Sequence, residues 1–190
     1  MQDLTIKEKI VLITGAGRGL GLALVEAFLN HGWTVYALVR KHDDALKIEG
    51  LSPQQCIPIL SDVVAEAVQV DIKRALGHSC AIDVLINNAG VGGRGKSIET
   101  TSAAEVESLL NVHCLGALRV TQAVMPFMRP YGKIINISSR FGSITKVASG
   151  ELDNIKGSYA YRIAKAAQNM LTQCLSRELG QLGMKICALH

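Results

Sequence analysis

The sequence predicts an α/β protein: a doubly wound, mostly parallel sheet of about six strands with helices on both faces. Short runs of β-branched and aliphatic residues alternate with longer stretches whose apolar residues recur at three and four. The first run, Ile10-Val11-Leu12-Ile13, enters a helical stretch through Thr14-Gly15-Ala16-Gly17-Arg18-Gly19-Leu20-Gly21. No internal repeat and no linker divides the chain, so residues 1–190 read as one domain.

The glycine turn is the part the rest is organised around. Gly15 reaches backbone angles closed to residues with a Cβ. Gly19 and Gly21 let backbone approach a phosphate and let the helix pack on the strand. The first helical N–H groups then face the anion, with the positive end of the helix dipole behind them. Strand, glycine turn and helix in this order point to a bound dinucleotide, and so to a Rossmann fold. Alternate glycines at 17, 19 and 21 also fit a turn that holds nothing.

The remaining elements follow in order. Gly32 closes the first helix. Trp33–Val39 is rich in β-formers and reads as the second strand. It ends at Arg40-Lys41, where a dinucleotide fold carries an acid for the ribose of NAD or an Arg for the 2′-phosphate of NADP. Arg40, with Arg18 in the glycine turn, favours NADP (NADPH), and NAD is the less favoured alternative. Asp43 and Asp44 follow closely and complicate that assignment.

Cys56–Leu60 is a short third strand ending at Asp62-Val63, and residues 64–76 are helical. Ile82–Ile86 is a fourth strand, closed by Asn87-Asn88-Ala89-Gly90. Small and amide residues at that end suit a ligand crevice. Residues 101–128 are expected as one long helix, capped by Thr101 or Ser102, carrying Asn111 on an apolar face and ended by Pro126 and Pro130. Residues 132–137 are a fifth strand running into Ser138-Ser139. A long polar segment, 140–158, is expected outside the core. Residues 159–182 are helical, and 184–189 are a sixth strand.

Composition narrows the partners. A formal charge of +4 with no dense Lys/Arg block gives no indication of nucleic acid or membrane. Cys56, Cys80, Cys114, Cys174 and Cys187 form no Cys-x-x-Cys pair, so neither zinc nor a disulfide framework is expected. Most sit in apolar runs, where buried thiols are ordinary. The N-terminus lacks the regions of a signal peptide, and no apolar run nears the ~20 residues of a membrane span. A cytoplasmic location is the expectation.

Tyr161 and Lys165 are four apart on a helical stretch and share a face. A free Tyr has a pKa of about 10, and a neighbouring ammonium favours the phenolate. Ser139 lies at a strand's carboxyl end, where a hydroxyl can hold a carbonyl oxygen. Together these groups suit carbonyl reduction, with hydride from the cofactor and a proton from Tyr161.

Here the sequence resembles the short-chain dehydrogenase/reductase family. The resemblance rests on Thr14-Gly15-(x)3-Gly19-x-Gly21, Asp62-Val63, Asn87-Asn88-Ala89-Gly90, Asn111, Ser138-Ser139 and Tyr161-(x)3-Lys165, in the family's order. Ser-Ser-Arg-Phe-Gly-Ser-Ile and Tyr-Ala-Tyr-Arg-Ile-Ala-Lys look like the sniffer-type or C-factor-type carbonyl reductases. The resemblance implies Tyr161 as general acid or base and Lys165 as the group that lowers its pKa and holds the nicotinamide ribose. It implies Ser139, rather than Ser138, as the carbonyl holder. It implies Asn111 as the holder of a relay water, Asp62 and Val63 as adenine contacts, and Asn88, Ala89 and Gly90 as cleft wall. The cofactor set is then Gly15, Gly17, Arg18, Gly19, Leu20, Gly21, Arg40, Asp62, Val63, Asn88, Ala89 and Gly90, with Tyr161 and Lys165. Tyr159 competes for the acid role but has no lysine four residues on.

Two departures stand out. Ser139 and Tyr161 are 22 positions apart, longer than in many relatives, which places a loop over the substrate entrance. Family members usually continue past the sixth strand into a Pro-Gly turn, a substrate-covering segment and a seventh strand, so the chain reads as C-terminally short. The expected function is an NADP(H)-dependent oxidoreductase acting on a small carbonyl or alcohol. The alternative is a catalytically weak or inactive cofactor-binding or signalling protein. Both long helices that the family uses for dimer contacts are present, so a homo-oligomer is expected.

Overall fold

The computed structural model describes residues 8–78, 80–155 and 157–190. Six strands form one sheet in the order β3-β2-β1-β4-β5-β6, with every neighbouring pair parallel. They are β1 (Ile10–Thr14), β2 (Thr34–Val39), β3 (Cys56–Leu60), β4 (Ile82–Asn87), β5 (Met128–Ile137) and β6 (Lys185–Leu189). The chain builds outward from β1 to β3, returns to the centre, and builds the other way from β4 to β6. The reversal falls between β1 and β4 and opens a crevice at their carboxyl ends. This is the doubly wound architecture the sequence predicts.

All five residues of β1 are buried because the strand feeds two cores. Successive side chains alternate between faces. Ile10 and Leu12 join Leu38, Ile72, Val120 and Leu179 on one face. Val11 and Ile13 join Val25, Ala45 and Ile48 on the other. The first face is covered by α3 (Val68–Leu76), α5 (Gly116–Val124) and α7 (Tyr159–Gly180), the second by α1 (Gly19–Asn30) and α2 (His42–Leu51). Each fully buried Leu or Ile here contributes about 1.5–3 kcal/mol.

Several elements differ from the sequence expectation. α2 was not expected, since it buries only Ala45 and Ile48 and its other residues are polar or exposed. The third helix begins at Val68, not at residue 64. The single long helix is in fact α4 (Ala103–Leu110), a π-helical turn (Asn111–Leu115), α5, and a 3₁₀ turn (Met125–Phe127). A π turn inserts one residue without erasing the apolar periodicity, so spacing alone does not reveal it. Pro130 lies within β5 rather than at a helix end. The β4–β5 register jumps from Ile82↔Met128 to Val84↔Lys133, and the proline sits in that irregularity, where no ladder bond is required of it. The polar segment holds a 3₁₀ turn (Arg140–Gly142), α6 (Ile144–Ala148) and the buried Leu152. Of the cysteines only Cys56 is buried, and Cys174 and Cys187 are exposed. Among the described residues no helix is long and apolar enough to cross a membrane.

Candidate active site

The carboxyl ends of β1 and β4 are tied together at the crevice. Thr14 Oγ1 accepts the backbone N–H groups of Asn88 and Ala89, both at 3.0 Å. Asn88 Nδ2 donates to the carbonyls of Thr14 (2.9 Å) and Gly15 (3.2 Å). Gly15 has φ +65°, and a Cβ there would lie 2.8 Å from Ala89 Cα. At Gly21 a Cβ would lie 2.2 Å from the Gly15 carbonyl oxygen, so the first turn of α1 must be bare to seat on the glycine turn. That first turn carries no acidic residue, which leaves its N–H groups and dipole free for an anion.

A cavity of about 470 Å³ opens in front of this turn. Gly15, Gly17, Arg18, Gly19, Leu20 and Gly21 line it, with Arg40, Asp62 and Val63 beyond and Asn88, Ala89 and Gly90 opposite. The cofactor set expected from sequence, apart from Tyr161 and Lys165, is thus brought to one place. Lys41 and Asp44 also line it, although neither belonged to that set. Arg40 is more than half exposed and pairs loosely with Asp62, at 3.6 Å. Bare N–H groups and three cations, Arg18, Arg40 and Lys41, suit an anionic nucleotide.

A second cleft, of about 420 Å³, shares Asn88, Gly90 and Val91 with the first. Tyr161 and Lys165 line it. The Tyr161 ring stands edge-on to His113, with centroids 5.3 Å apart, and to Phe141 at 6.4 Å. Lys165 Nζ lies 5.7 Å from the Tyr161 ring centroid. It donates to the Ile137 carbonyl (2.7 Å) and to Gln168 Oε1 (2.9 Å). Burial pulls the Lys165 pKa down to about 8. His113 is 1% exposed, and its Nε2 lies 2.8 Å from the Val91 carbonyl. Burial, and then the Lys165 charge, push the His113 pKa down to about 4 against the Val91 bond. The imidazole is therefore neutral at physiological pH. Nε2 also lies 3.3 Å from the Val91 nitrogen, and the buried Nδ1 is without a partner among the described residues.

Two of the sequence-derived catalytic residues, Ser139 and Asn111, do not line the Tyr161 cleft. Ser138 lines the Tyr161 cleft, but Ser139 does not; it lines a neighbouring depression with Asn169 and Met170. Ser138 borders that depression as well, so it lines both while Ser139 lines only one. Ser138 donates to Asn169 Oδ1, whereas Ser139 Oγ accepts the Phe141 N–H at 3.2 Å and donates to no acceptor among the described residues. Asn111 opens the π turn, and its Oδ1 accepts from Arg119 at 2.9 Å. Tyr159 lines a separate depression with Arg162 and Ile163.

Sequence reasoning missed His113, Phe141, Ser158 and Gln168. Ser158 caps α7 by accepting the Tyr161 N–H at 3.2 Å, and it too lines the cleft. Signals existed for two of them: Gln168 falls three residues after Lys165 on the same helix face, and His113 follows Asn111 by two. Among the described residues no group of His, Cys, Asp or Glu is placed to hold a metal ion.

A parallel sheet with a glycine turn at its reversal point places the chain among nucleotide-binding α/β proteins. The chain belongs to the short chain dehydrogenases, whose family model matches residues 9–190. It is 31% identical over 187 residues to Oxidoreductase BOA17 of Botryotinia fuckeliana, covering 96% of this chain and 64% of that protein. A short-chain dehydrogenase from Streptomyces avermitilis superposes with a TM-score of 0.83 at 30% identity, over 95% of this chain and 64% of that one. The NADPH-bound carbonyl reductase from chicken fatty liver superposes with a TM-score of 0.84 at 28% identity, over 96% of this chain and 79% of that one. The chain thus spans about two thirds of the length of the first two.

Proposed function

We propose that residues 1–190 form a single NAD(P)-binding domain of an NADP(H)-dependent oxidoreductase that interconverts a small carbonyl compound and its alcohol. The observation that carries this is the junction of the two clefts at Asn88, Gly90 and Val91, which sets Tyr161 and Lys165 beside the glycine-turn cavity. The likeness to a carbonyl reductase that binds NADPH supports the same substrate class and cofactor.

Gly15 to Gly21 and the first turn of α1 would hold the pyrophosphate, Asp62 and Val63 the adenine, and Arg18 and Arg40 the 2′-phosphate. When bound, the nicotinamide supplies or accepts the hydride at the carbonyl carbon. Tyr161 gives its phenolic proton to the carbonyl oxygen in reduction and takes it back in oxidation. Lys165, held by Ile137 and Gln168, stabilises the phenolate left behind. Ser139, of the serine pair, would hold the carbonyl oxygen once its hydroxyl turns from its own depression into the Tyr161 cleft. Asn111, whose Oδ1 accepts from Arg119, would hold the relay water.

A second reading, cofactor binding without turnover, draws support from Ser139 lining a depression other than the Tyr161 cleft. NADPH oxidation with a panel of aldehydes, ketones and quinones separates the two. Carbonyl-dependent oxidation supports the enzyme; tight NADPH binding with no oxidation across the panel supports the binding protein.

A further inference from the structure

Asp44 stands in the first turn of α2 and lines the same cavity as Arg18, Arg40 and Lys41. Its carboxylate rests on the glycine turn. A Cβ built on Gly17 would lie 2.6 Å from Asp44 Cγ and 2.7 Å from Oδ2, so the space at position 17 is already filled by that acid. Among the described residues no cation lies within ion-pairing distance of it. The ordinary reason for an acid here is the dipole of α2. Asp43 serves that purpose equally, yet Asp43 is exposed and does not line the cavity.

The end of β2 is where a dinucleotide fold meets the adenosine ribose, and a basic residue there accommodates a 2′-phosphate. Arg40 occupies that place and is itself drawn toward Asp62, at 3.6 Å. A 2′-phosphate at Arg40 would therefore meet the Asp44 carboxylate among its cations.

We propose that Asp44 is a specificity-determining residue that opposes the 2′-phosphate and holds the preference for NADPH over NADH below what Arg18 and Arg40 alone would set. This rests on the dinucleotide reading above. A like charge within a partly solvated cleft repels the phosphate dianion, while a dinucleotide ending in a 2′-hydroxyl carries no such charge. The effect is electrostatic, so it fades as salt rises.

The test is calorimetric titration of wild type, Asp44→Asn, Asp44→Ser and Asp43→Asn with NADPH and with NADH. For both Asp44 variants, NADPH binding tightens by roughly three- to tenfold in dilute salt, less at about 0.5 M, while NADH affinity stays within about twofold. Asp43→Asn leaves both affinities where they were. An unchanged NADPH-to-NADH ratio in whichever Asp44 variant folds overturns the proposal and leaves the cofactor reading intact. An equal change in both affinities, or the same ratio change in Asp43→Asn, also overturns it. If wild type binds neither nucleotide, the cofactor reading and the proposal fall together.

Discussion

The imidazole of His113 meets the ring of Tyr161 edge to face, with centroids 5.3 Å apart and planes at 89°. His113 also holds the Val91 carbonyl, and Val91 borders both clefts. One buried neutral side chain from the π turn thus joins the cofactor-side loop to the helix that carries Tyr161 and Lys165. A phenylalanine there would keep the ring packing and lose the bond to Val91.

Stability depends on pH through His113. Its pKa is about 4 in the folded protein and about 6.5 when unfolded. Between those values the unfolded chain binds more protons, so stability rises with pH. The contribution is fully present above about pH 6.5 and is lost as pH falls through about 4; it is on the order of 3 kcal/mol. Urea midpoints measured from pH 4 to 7 rise steeply in wild type and less steeply in His113→Phe. Equal slopes would remove His113 as the cause.

Gln168→Leu takes one of two protein acceptors from a buried ammonium. Fewer acceptors disfavour the charged form, so the Lys165 pKa drops below its value of about 8. Turnover that needs the ammonium is then lost at lower pH, and the alkaline limb of the kcat profile moves toward neutrality by about one pH unit. Acidic-limb behaviour and NADPH affinity stay close to wild type. An unmoved alkaline limb would mean that Gln168 only fills space.

Gly21→Ala places a methyl group 2.2 Å from the Gly15 carbonyl oxygen. Backbone on both sides must shift, at a cost of about 1–3 kcal/mol. Thermal melts show the loss of stability, and titration shows NADPH binding weakened at least about tenfold, since 1.4 kcal/mol is a factor of ten. Gly50→Ala has open space around it and serves as the control.

Arg40→Ala separates the nucleotides. Arg40 is mostly solvated and its pairing with Asp62 is loose, so little of the fold depends on it. NADPH affinity falls by about tenfold through the lost charge-assisted contact, and NADH affinity changes by less than about twofold. Parallel losses for both nucleotides would place Arg40 elsewhere than at the phosphate.

Much of the fold was legible because its signals are local. Ile10 to Gly21 carries strand, turn and helix in one short stretch, and Tyr161 and Lys165 share a helix face by spacing alone. What escaped depends on distant neighbours. α2 hides because its buried side is only Ala45 and Ile48, packed on β2 and β3. The turn of Ser138 against Ser139 is set where the strand leaves its ladder, beyond the reach of alternation within the strand. His113 takes its meaning from Val91 and Tyr161, 22 residues before it and 48 after. The π turn that aims it leaves apolar spacing almost untouched.

The most direct test compares wild type with Tyr161→Phe, both first shown by calorimetry to bind NADPH. The substitution keeps the ring packed against His113 and Phe141 and removes only the hydroxyl. NADPH oxidation is then followed in the presence of the carbonyl that wild type reduces best. The expected result is equal affinity for NADPH and at least an approximately hundredfold loss of turnover in Tyr161→Phe. Turnover retained in that variant, or absent from a wild type that binds NADPH, would contradict the assignment of Tyr161 as the proton donor.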